Sequence, residues 1–246
     1  MAIIKKTILS PSGFVRGDFD DLDAILLEYI GEFSPKDKVL IKPESQYIPI
    51  LCFGATGIEK IVALDRKNKY VEASMDDGCI SLAKLGKKIN LGAKVNIMFG
   101  WMGDFTIRWG TANGICNPAG ESAEYGKLTG NGSLTLKVVD DTFYTRYIAK
   151  KIATVEVNEL KTTWNSVLTE IAESSMMDIL YKFGEFKKEI ISMNSRDVAS
   201  KIQNKFQDWL IHEYHILGRD TIPSIEVTES ICRLLLCDKS GKIIHN

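Results

Sequence analysis

The chain of 246 residues is 45% hydrophobic and 26% charged, so it can bury an ordinary globular core in one large domain or two small ones. A formal net charge of −1 and a pI near 6.3 exclude the strongly basic composition of most nucleic-acid-binding proteins. Because no apolar run reaches about 18 residues, no membrane-spanning helix is predicted. The five cysteines are odd in number and irregularly spaced, which argues against a disulfide framework, and we therefore expect a reducing, cytoplasmic location.

The first 23 residues form a polar N-terminal segment that contains a cluster of acidic residues. Asp18, Asp20, Asp21 and Asp23 lie within six positions of one another. A calcium-binding helix–loop–helix that began at Asp18 would need glycine at its sixth position and glutamate at its twelfth. Those positions hold Asp23 and Tyr29, so we interpret the cluster as a solvated acidic turn or helix start.

Short apolar segments separated by Gly, Asn, Asp or Pro extend from residue 39 to about residue 139, which is typical of antiparallel strands joined by turns. The predicted strands are 39–41, 47–53, 60–64, 95–99, 105–109 and 134–139. The last of these alternates apolar and polar residues. The preceding Gly130, Asn131 and Gly132 predict a turn, because both residue types tolerate a positive φ.

In the second half of the chain the apolar period changes from two residues to 3.6, which predicts helices. The first predicted helix spans about 158–183 and the second spans 195–217, with Ser195 as its N-cap. A final strand with Ile225 and Val227 follows. This order predicts an α+β fold in which a mainly antiparallel, strand-rich first part is followed by two long helices and a final strand.

Two motifs resemble ligand sites without meeting their requirements. The segment 120–128 has five residues between its glycines where a phosphate-binding loop has four, and no hydroxyl residue follows Lys127. We interpret it as an exposed loop between strands. His212 and His215 lie three residues apart on the second predicted helix, a pattern more typical of a helix surface than of a zinc site.

Trp101, Phe105 and Trp109 lie near Arg108 and could form an aromatic and basic platform for nucleic acid. A buried strand face with a cross-strand aromatic pair is the better interpretation. No nucleophile motif is present, and no catalytic, cofactor-binding or metal-binding residue is predicted. The chain is therefore predicted not to be an enzyme and to need no cofactor.

The middle of the chain resembles a known superfamily. Residues 105–115 are similar to a strand and turn of bacterial proteins with an SPFH domain (stomatin, prohibitin and flotillin), in the branch labelled "virion core protein-like". Residues 132–143 match the strand that follows in that branch, and residues 43–46 resemble an upstream segment. The resemblance covers about residues 24–230, with Gly114 where the family usually has proline.

The resemblance implies a non-catalytic scaffold, since SPFH domains pack side by side into rings or cages, commonly on membranes, and recruit other proteins. It also implies an organisation into an N-terminal segment (1–23), an SPFH-like domain (24–230) and a C-terminal strand or tail (231–246). The expected partners are further copies of the chain, with a membrane surface or client proteins, and no nucleic acid. The expected location is the cytoplasm, with peripheral attachment to a membrane as a variant.

A function of another class stays open. It is a small metal-dependent hydrolase or nuclease with a dispersed acidic site, to which Asp18, Asp20 and Asp140 would contribute. The two functions differ in whether the fold brings three carboxylates within metal-binding reach in one cleft.

The second predicted helix suggests where a homo-oligomer would form. Ile211 and Tyr214 lie off its apolar stripe, and one sheet covers only one stripe of a helix, so they would meet solvent or another subunit, and the resemblance favours another subunit. The alternative is that both residues pack on the other long helix of the same chain.

Overall fold

A computed structural model describes residues 9–10, 13–14, 24–29, 38–40, 47–54, 60–64, 75–76, 79–89, 94–111, 113–147, 155–184, 186–214 and 224–245. The chain forms two compact units, and each unit is assembled from three separate segments. The first unit contains residues 1–103, 138–157 and 216–225. The second unit contains residues 104–137, 158–215 and 226–246.

The described strands, in chain order, are β1 (Leu9–Ser10), β2 (Gly13–Phe14), β3 (Ala24–Tyr29), β4 (Lys38–Leu40), β5 (Tyr47–Gly54), β6 (Lys60–Ala63), β7 (Met75–Asp76), β8 (Cys79–Ser81), β9 (Lys94–Trp101), β10 (Asp104–Gly110), β11 (Ile115–Cys116), β12 (Lys127–Val138), β13 (Val155–Glu156), β14 (Ile225–Cys237) and β15 (Ile243–His245). The described helices are α1 (Leu82–Ile89), α2 (Val157–Phe183) and α3 (Lys188–Tyr214), with a 3-10 turn at Gly120–Ser122 and a π-helical segment at Phe143–Tyr147. These elements confirm the predicted α+β class, with antiparallel strands, two long helices and a final strand.

The first unit is built on an antiparallel five-stranded sheet in the order β13-β3-β9-β5-β6. Its middle strands β9 and β5 place Ile50 opposite Met98, and both side chains are buried. Gly100 on β9 leaves room for the ring of Tyr144, because a Cβ atom at Gly100 would lie 2.7 Å from that ring. The Tyr144 hydroxyl donates to the carbonyl of Trp101, so this aromatic side chain fastens the π-helical segment to the end of β9.

The second unit combines a sheet with a helical hairpin. The sheet order is β10-β12-β14-β15, and β11 also pairs with β12. On β10, the side chains of Phe105, Ile107 and Trp109 are buried and those between them are exposed, so the sheet has one covered face. The sulfur of Met176 would lie 3.0 Å from a Cβ atom placed on Gly130 of β12, which puts α2 against that face.

Helices α2 and α3 run in opposite directions. Lys201 of α3 forms an ion pair with Asp178 of α2 at 3.1 Å. One turn later on α3, Lys205 donates a hydrogen bond to the hydroxyl of Ser174, which lies one turn earlier on α2. Their core is aromatic: the ring of Trp164 lies 5.9 Å from that of Phe206. Both side chains are fully buried, so this contact joins the two helices into one hairpin.

The predicted start of the second long helix is wrong. We expected residue 195 as the first residue and Ser195 as the N-cap, but α3 begins at Lys188. The hydroxyl of Ser195 donates to the carbonyl of Ile191, and the Asn194 amide donates to the carbonyl of Ile190, both within the helix. Ser and Asn side chains that bond backward in this way are compatible with a helix interior. The predicted end at residue 217 lies outside the described residues.

The predicted turn at Gly130, Asn131 and Gly132 is also wrong, since all three residues lie inside β12. The glycines serve close packing. A Cβ atom on Gly132 would lie 1.9 Å from the carbonyl oxygen of Ile231 on the neighbouring strand. A glycine inside a strand often marks such an approach of another backbone. The strand β14 extends without a break through residues 230 and 231, between which the boundary of the C-terminal strand or tail was predicted.

Candidate functional site

The motif that carries the family resemblance has a packing role in the second unit. Trp109 is buried, and Gly110 follows it at the end of β10. The Thr111 hydroxyl accepts a hydrogen bond from the Gly130 N–H at 2.9 Å and donates to the Gly130 carbonyl at 3.2 Å. The Thr111 N–H donates to the same carbonyl at 2.9 Å. This residue therefore fixes the end of β10 to β12.

The aromatic residues Trp101, Phe105 and Trp109 are all buried. Buried rings are unavailable for stacking with bases. Phe105 and Trp109 share the buried face of β10, which confirms the interpretation as a buried strand face for these two residues, whereas Trp101 lies on β9. The segment 120–128 contains the exposed 3-10 turn and the beginning of β12, in agreement with the predicted surface loop.

The acidic residues of the alternative function are only partly described. Asp18 and Asp20 lie outside the described residues. Asp140 uses its Oδ1 atom to accept a hydrogen bond from the N–H of Thr142 at 2.7 Å, which caps the turn before the π-helical segment. Within the described part of the chain, no group of three His, Cys, Asp or Glu side chains is placed to hold a metal ion.

The described histidine and cysteine side chains differ in their exposure. His212 is exposed on α3, whereas His215 lies outside the described residues. Cys116 is exposed, and burial raises the pKa of the half-buried Cys232 to about 12. A thiol with so high a pKa stays protonated at neutral pH and is a poor nucleophile.

The second unit covers some sheet edges with side-chain amides from the helices. Asn165 of α2 donates to the carbonyl of Arg108 on the edge strand β10 at 3.3 Å. The short strand β15 pairs with β14 only at Leu236 and Cys237, so it does not reach Val227. There the Gln203 amide of α3 donates to the Val227 carbonyl at 2.9 Å, and Gln207 accepts from the Val227 N–H at 2.8 Å. Backbone groups occupied in this way cannot pair with a strand of another molecule.

These amides were not predicted. Gln203 and Gln207 lie four residues apart, so they share one face of α3. That spacing was a usable signal for a polar contact. Their partner Val227 lies 24 residues after Gln203 and 20 residues after Gln207, and nothing local to the helix indicates it.

The large apolar side chains that remain exposed in the described structure fall into two groups. The first, here called the hairpin tip, comprises Tyr181, Phe183 and Met193 near the connection between α2 and α3. The second comprises Ile231, Ile243 and Ile244 on β14 and β15. Both groups belong to the second unit. Contiguous exposed apolar surface commonly marks an interaction site.

Of the two predicted assembly residues on α3, only Ile211 has a described side chain, and it belongs to neither group. Ile211 is half-buried within one chain, and the side chain of Tyr214 lies outside the described set. Trp209 stacks on Phe206 at 5.3 Å between ring centroids. The choice between a contact with another subunit and packing on the other long helix therefore stays a prediction.

No described helix is both long enough and apolar enough to cross a bilayer. Comparison with known proteins found no protein-family model that matches the chain and no curated protein with significant similarity to it. Membership of the SPFH superfamily therefore stays a prediction.

Proposed function

We propose that the protein is a non-catalytic scaffold that assembles with copies of itself. The observation that carries the proposal is the exposure of the hairpin tip. Tyr181 is 81% exposed and Met193 is 80% exposed. Apolar side chains left in water are stabilised when another surface covers them, by about 25 cal/mol for each Å² buried.

The position of these residues favours a single contact surface. Tyr181 and Met193 both belong to the part of the hairpin that extends from the Asp178–Lys201 ion pair to its closed end. Phe183 lies between them in sequence, and the ammonium group of Lys182 lies 5.1 Å from the centre of its ring. Tyrosine and methionine are enriched at protein interfaces, since one is amphipathic and the other adapts its shape.

The structural roles and low reactivity of side chains whose chemistry is common in active sites also support a non-catalytic function. Asp140 caps a turn, and the Cys232 thiol has a raised pKa. Thr111, in the motif that resembles the SPFH branch, holds two strands together. The Asp140 and Thr111 side chains thus have a structural use, and the Cys232 thiol is poorly reactive.

The test is the oligomeric state of the purified protein, measured by sedimentation velocity and light scattering from low to high micromolar concentration. We expect association in the wild type, and weaker association in the double variant Tyr181→Glu/Met193→Glu. The control is Asn204→Glu, which adds a negative charge at another exposed position of α3. A wild type that is monomeric at every concentration would overturn the proposal.

A further inference from the structure

Three alternate residues of β14 form a stripe on one face of the sheet. Glu229, Ile231 and Arg233 are all exposed, and Ile231 is 52% exposed. The residues between them, Ser230 and Cys232, are half-buried. This alternation places the three exposed side chains together, since successive residues of a strand point to opposite faces. We call them the β14 stripe.

The β14 stripe lies on the face away from the buried core of the second unit. The Thr135 hydroxyl donates to Oε2 of Glu229 at 3.5 Å, and it lies 3.4 Å from the hydroxyl of Thr106. Leu134 and Leu136, on either side of Thr135, point the other way and are fully buried. Glu229 therefore shares the solvent face with the two threonines.

The charges of the stripe have no ion-pair partner among the described residues. By contrast, Asp104 and Lys137 on the same sheet are register partners of each other and can neutralise each other locally. Glu229 and Arg233 lie four positions apart, with Ile231 at the midpoint. The stripe is thus an apolar centre with a negative end and a positive end at equal distances.

This pattern is complementary to itself in one orientation. If two copies meet in antiparallel fashion about a twofold axis at Ile231, the two isoleucines touch, and each Glu229 faces Arg233 of the second copy. A parallel arrangement would set like charges against each other, which is unfavourable. A twofold contact uses the same patch on both subunits, so one stripe is sufficient.

We propose that the β14 stripe is a homotypic contact through which two copies of this chain pair about a twofold axis. The inference rests on the proposed self-association and specifies one of its surfaces. The partner that fits this surface is a second copy of the chain, because the order of charges along the stripe is complementary to the same order read in the opposite direction. Stable interfaces bury about 1,200–2,000 Å² in total. Three side chains per copy are too few for that area, so this contact sets orientation and the wider assembly needs a second surface such as the hairpin tip.

The test uses charge reversal on this stripe, with sedimentation velocity as the readout. Glu229→Arg makes both ends of the stripe positive, and Arg233→Glu makes both ends negative, so each single variant sets like charges against each other across the axis. We expect each to associate at least about tenfold more weakly than the wild type. Mixing the two single variants should restore association, since each then meets its opposite charge. The double variant E229R/R233E should also associate like the wild type.

The outcomes separate this inference from the proposed function. Equal association of the wild type and both single variants would exclude the stripe while leaving self-association through another surface. Failure of the mixture to recover would exclude the charge pairing. A monomeric wild type would overturn both proposals. Ile231→Thr keeps a β-branched residue in the strand and removes the apolar centre, so weakened association with an unchanged circular dichroism spectrum gives an independent check.

Discussion

Gly132 of β12 and Ile231 of β14 approach so closely that a Cβ atom on the glycine would lie 1.9 Å from the isoleucine carbonyl oxygen. The same atom would lie 3.0 Å from the ring of Trp109. We predict that Gly132→Ala lowers the free energy of unfolding by at least about 3 kcal/mol, the upper end of ordinary overpacking effects, since a backbone oxygen cannot move aside as a side chain does. Urea unfolding followed by circular dichroism measures the change.

Gly110 provides the matched control, since it is the glycine of β10 that lies next to Asn131 in the register. A Cβ atom there would have its nearest neighbour at 3.8 Å, an ordinary contact. Gly110→Ala should therefore change the stability by no more than about 1 kcal/mol, with a gain favoured by the lower entropy of the unfolded chain. Equal losses at the two positions would contradict the close approach.

The two glutamines on Val227 give a prediction about the sheet edge. Gln207→Met removes the acceptor of the Val227 N–H while keeping the shape of the side chain. We expect a loss of about 0.5–1.5 kcal/mol in the free energy of unfolding and faster hydrogen exchange at the Val227 amide. Gln203→Met frees the carbonyl instead, so it should give a similar loss of stability with a smaller effect on that amide.

Asn204→Met is the control for these changes, because Asn204 lies between the two glutamines on α3 and its side chain is exposed. It should leave the exchange of the Val227 amide unchanged. If the Val227 amide exchanges at the wild-type rate in Gln207→Met, then the side-chain amide does not protect this edge.

Cysteine reactivity tests the burial of the strands. Cys116 is exposed, whereas Cys52 and Cys237 are buried, and burial raises the pKa of Cys232 to about 12. Since the thiolate is the reactive species, iodoacetamide at neutral pH should label Cys116 well before the other three. Peptide mass spectrometry over a time course measures the order. Labelling of Cys232 at the rate of Cys116 would show that β14 is open.

The fold class could be predicted because apolar periodicity reflects local geometry, which the sequence records directly. The predicted end of α2 at residue 183 is confirmed. Gly184, which follows it, has a φ of 77°, a backbone conformation that favours glycine. The start of α3 was not predicted correctly, because Ser192, Asn194 and Ser195 have the composition of a helix boundary. Their side chains instead bond to carbonyls of the helix that contains them.

The candidate surfaces could not be predicted, because exposure depends on which elements cover a side chain. Ile211 is off the main apolar stripe of its helix and yet is half-buried, whereas Met193 of the same helix is almost fully exposed. Periodicity identifies the face of a helix and gives no information on how far its neighbour extends. The order of charges at Glu229, Ile231 and Arg233 can be read from the sequence. It suggests a contact only once the structure shows that the three side chains lie on the same solvent-exposed face of the sheet.

The hydrogen bonds of Asp238 allow a prediction of how the turn between β14 and β15 responds to pH. One carboxylate oxygen accepts hydrogen bonds from the N–H of Ser240 at 2.8 Å, the hydroxyl of Ser240 at 2.6 Å and the N–H of Lys242 at 2.9 Å. These bonds, with that from the Ser240 hydroxyl as the largest influence, lower the pKa of Asp238 below its ordinary value of 3.8. A lowered pKa in the folded state means that the ionised form stabilises the turn.

The contribution of Asp238 is therefore fully present above the ordinary pKa of an aspartate and is lost as the pH falls through the lower pKa of the folded state. We expect the Ser240 and Lys242 amide signals in NMR spectra to shift together in this acid range. Asp238→Asn removes the charge while keeping the size of the side chain. In that variant the two amides should exchange faster than in the wild type at neutral pH, and their acid transition should be absent. A wild type in which these amides titrate above the ordinary aspartate pKa would contradict the stabilising role of the carboxylate.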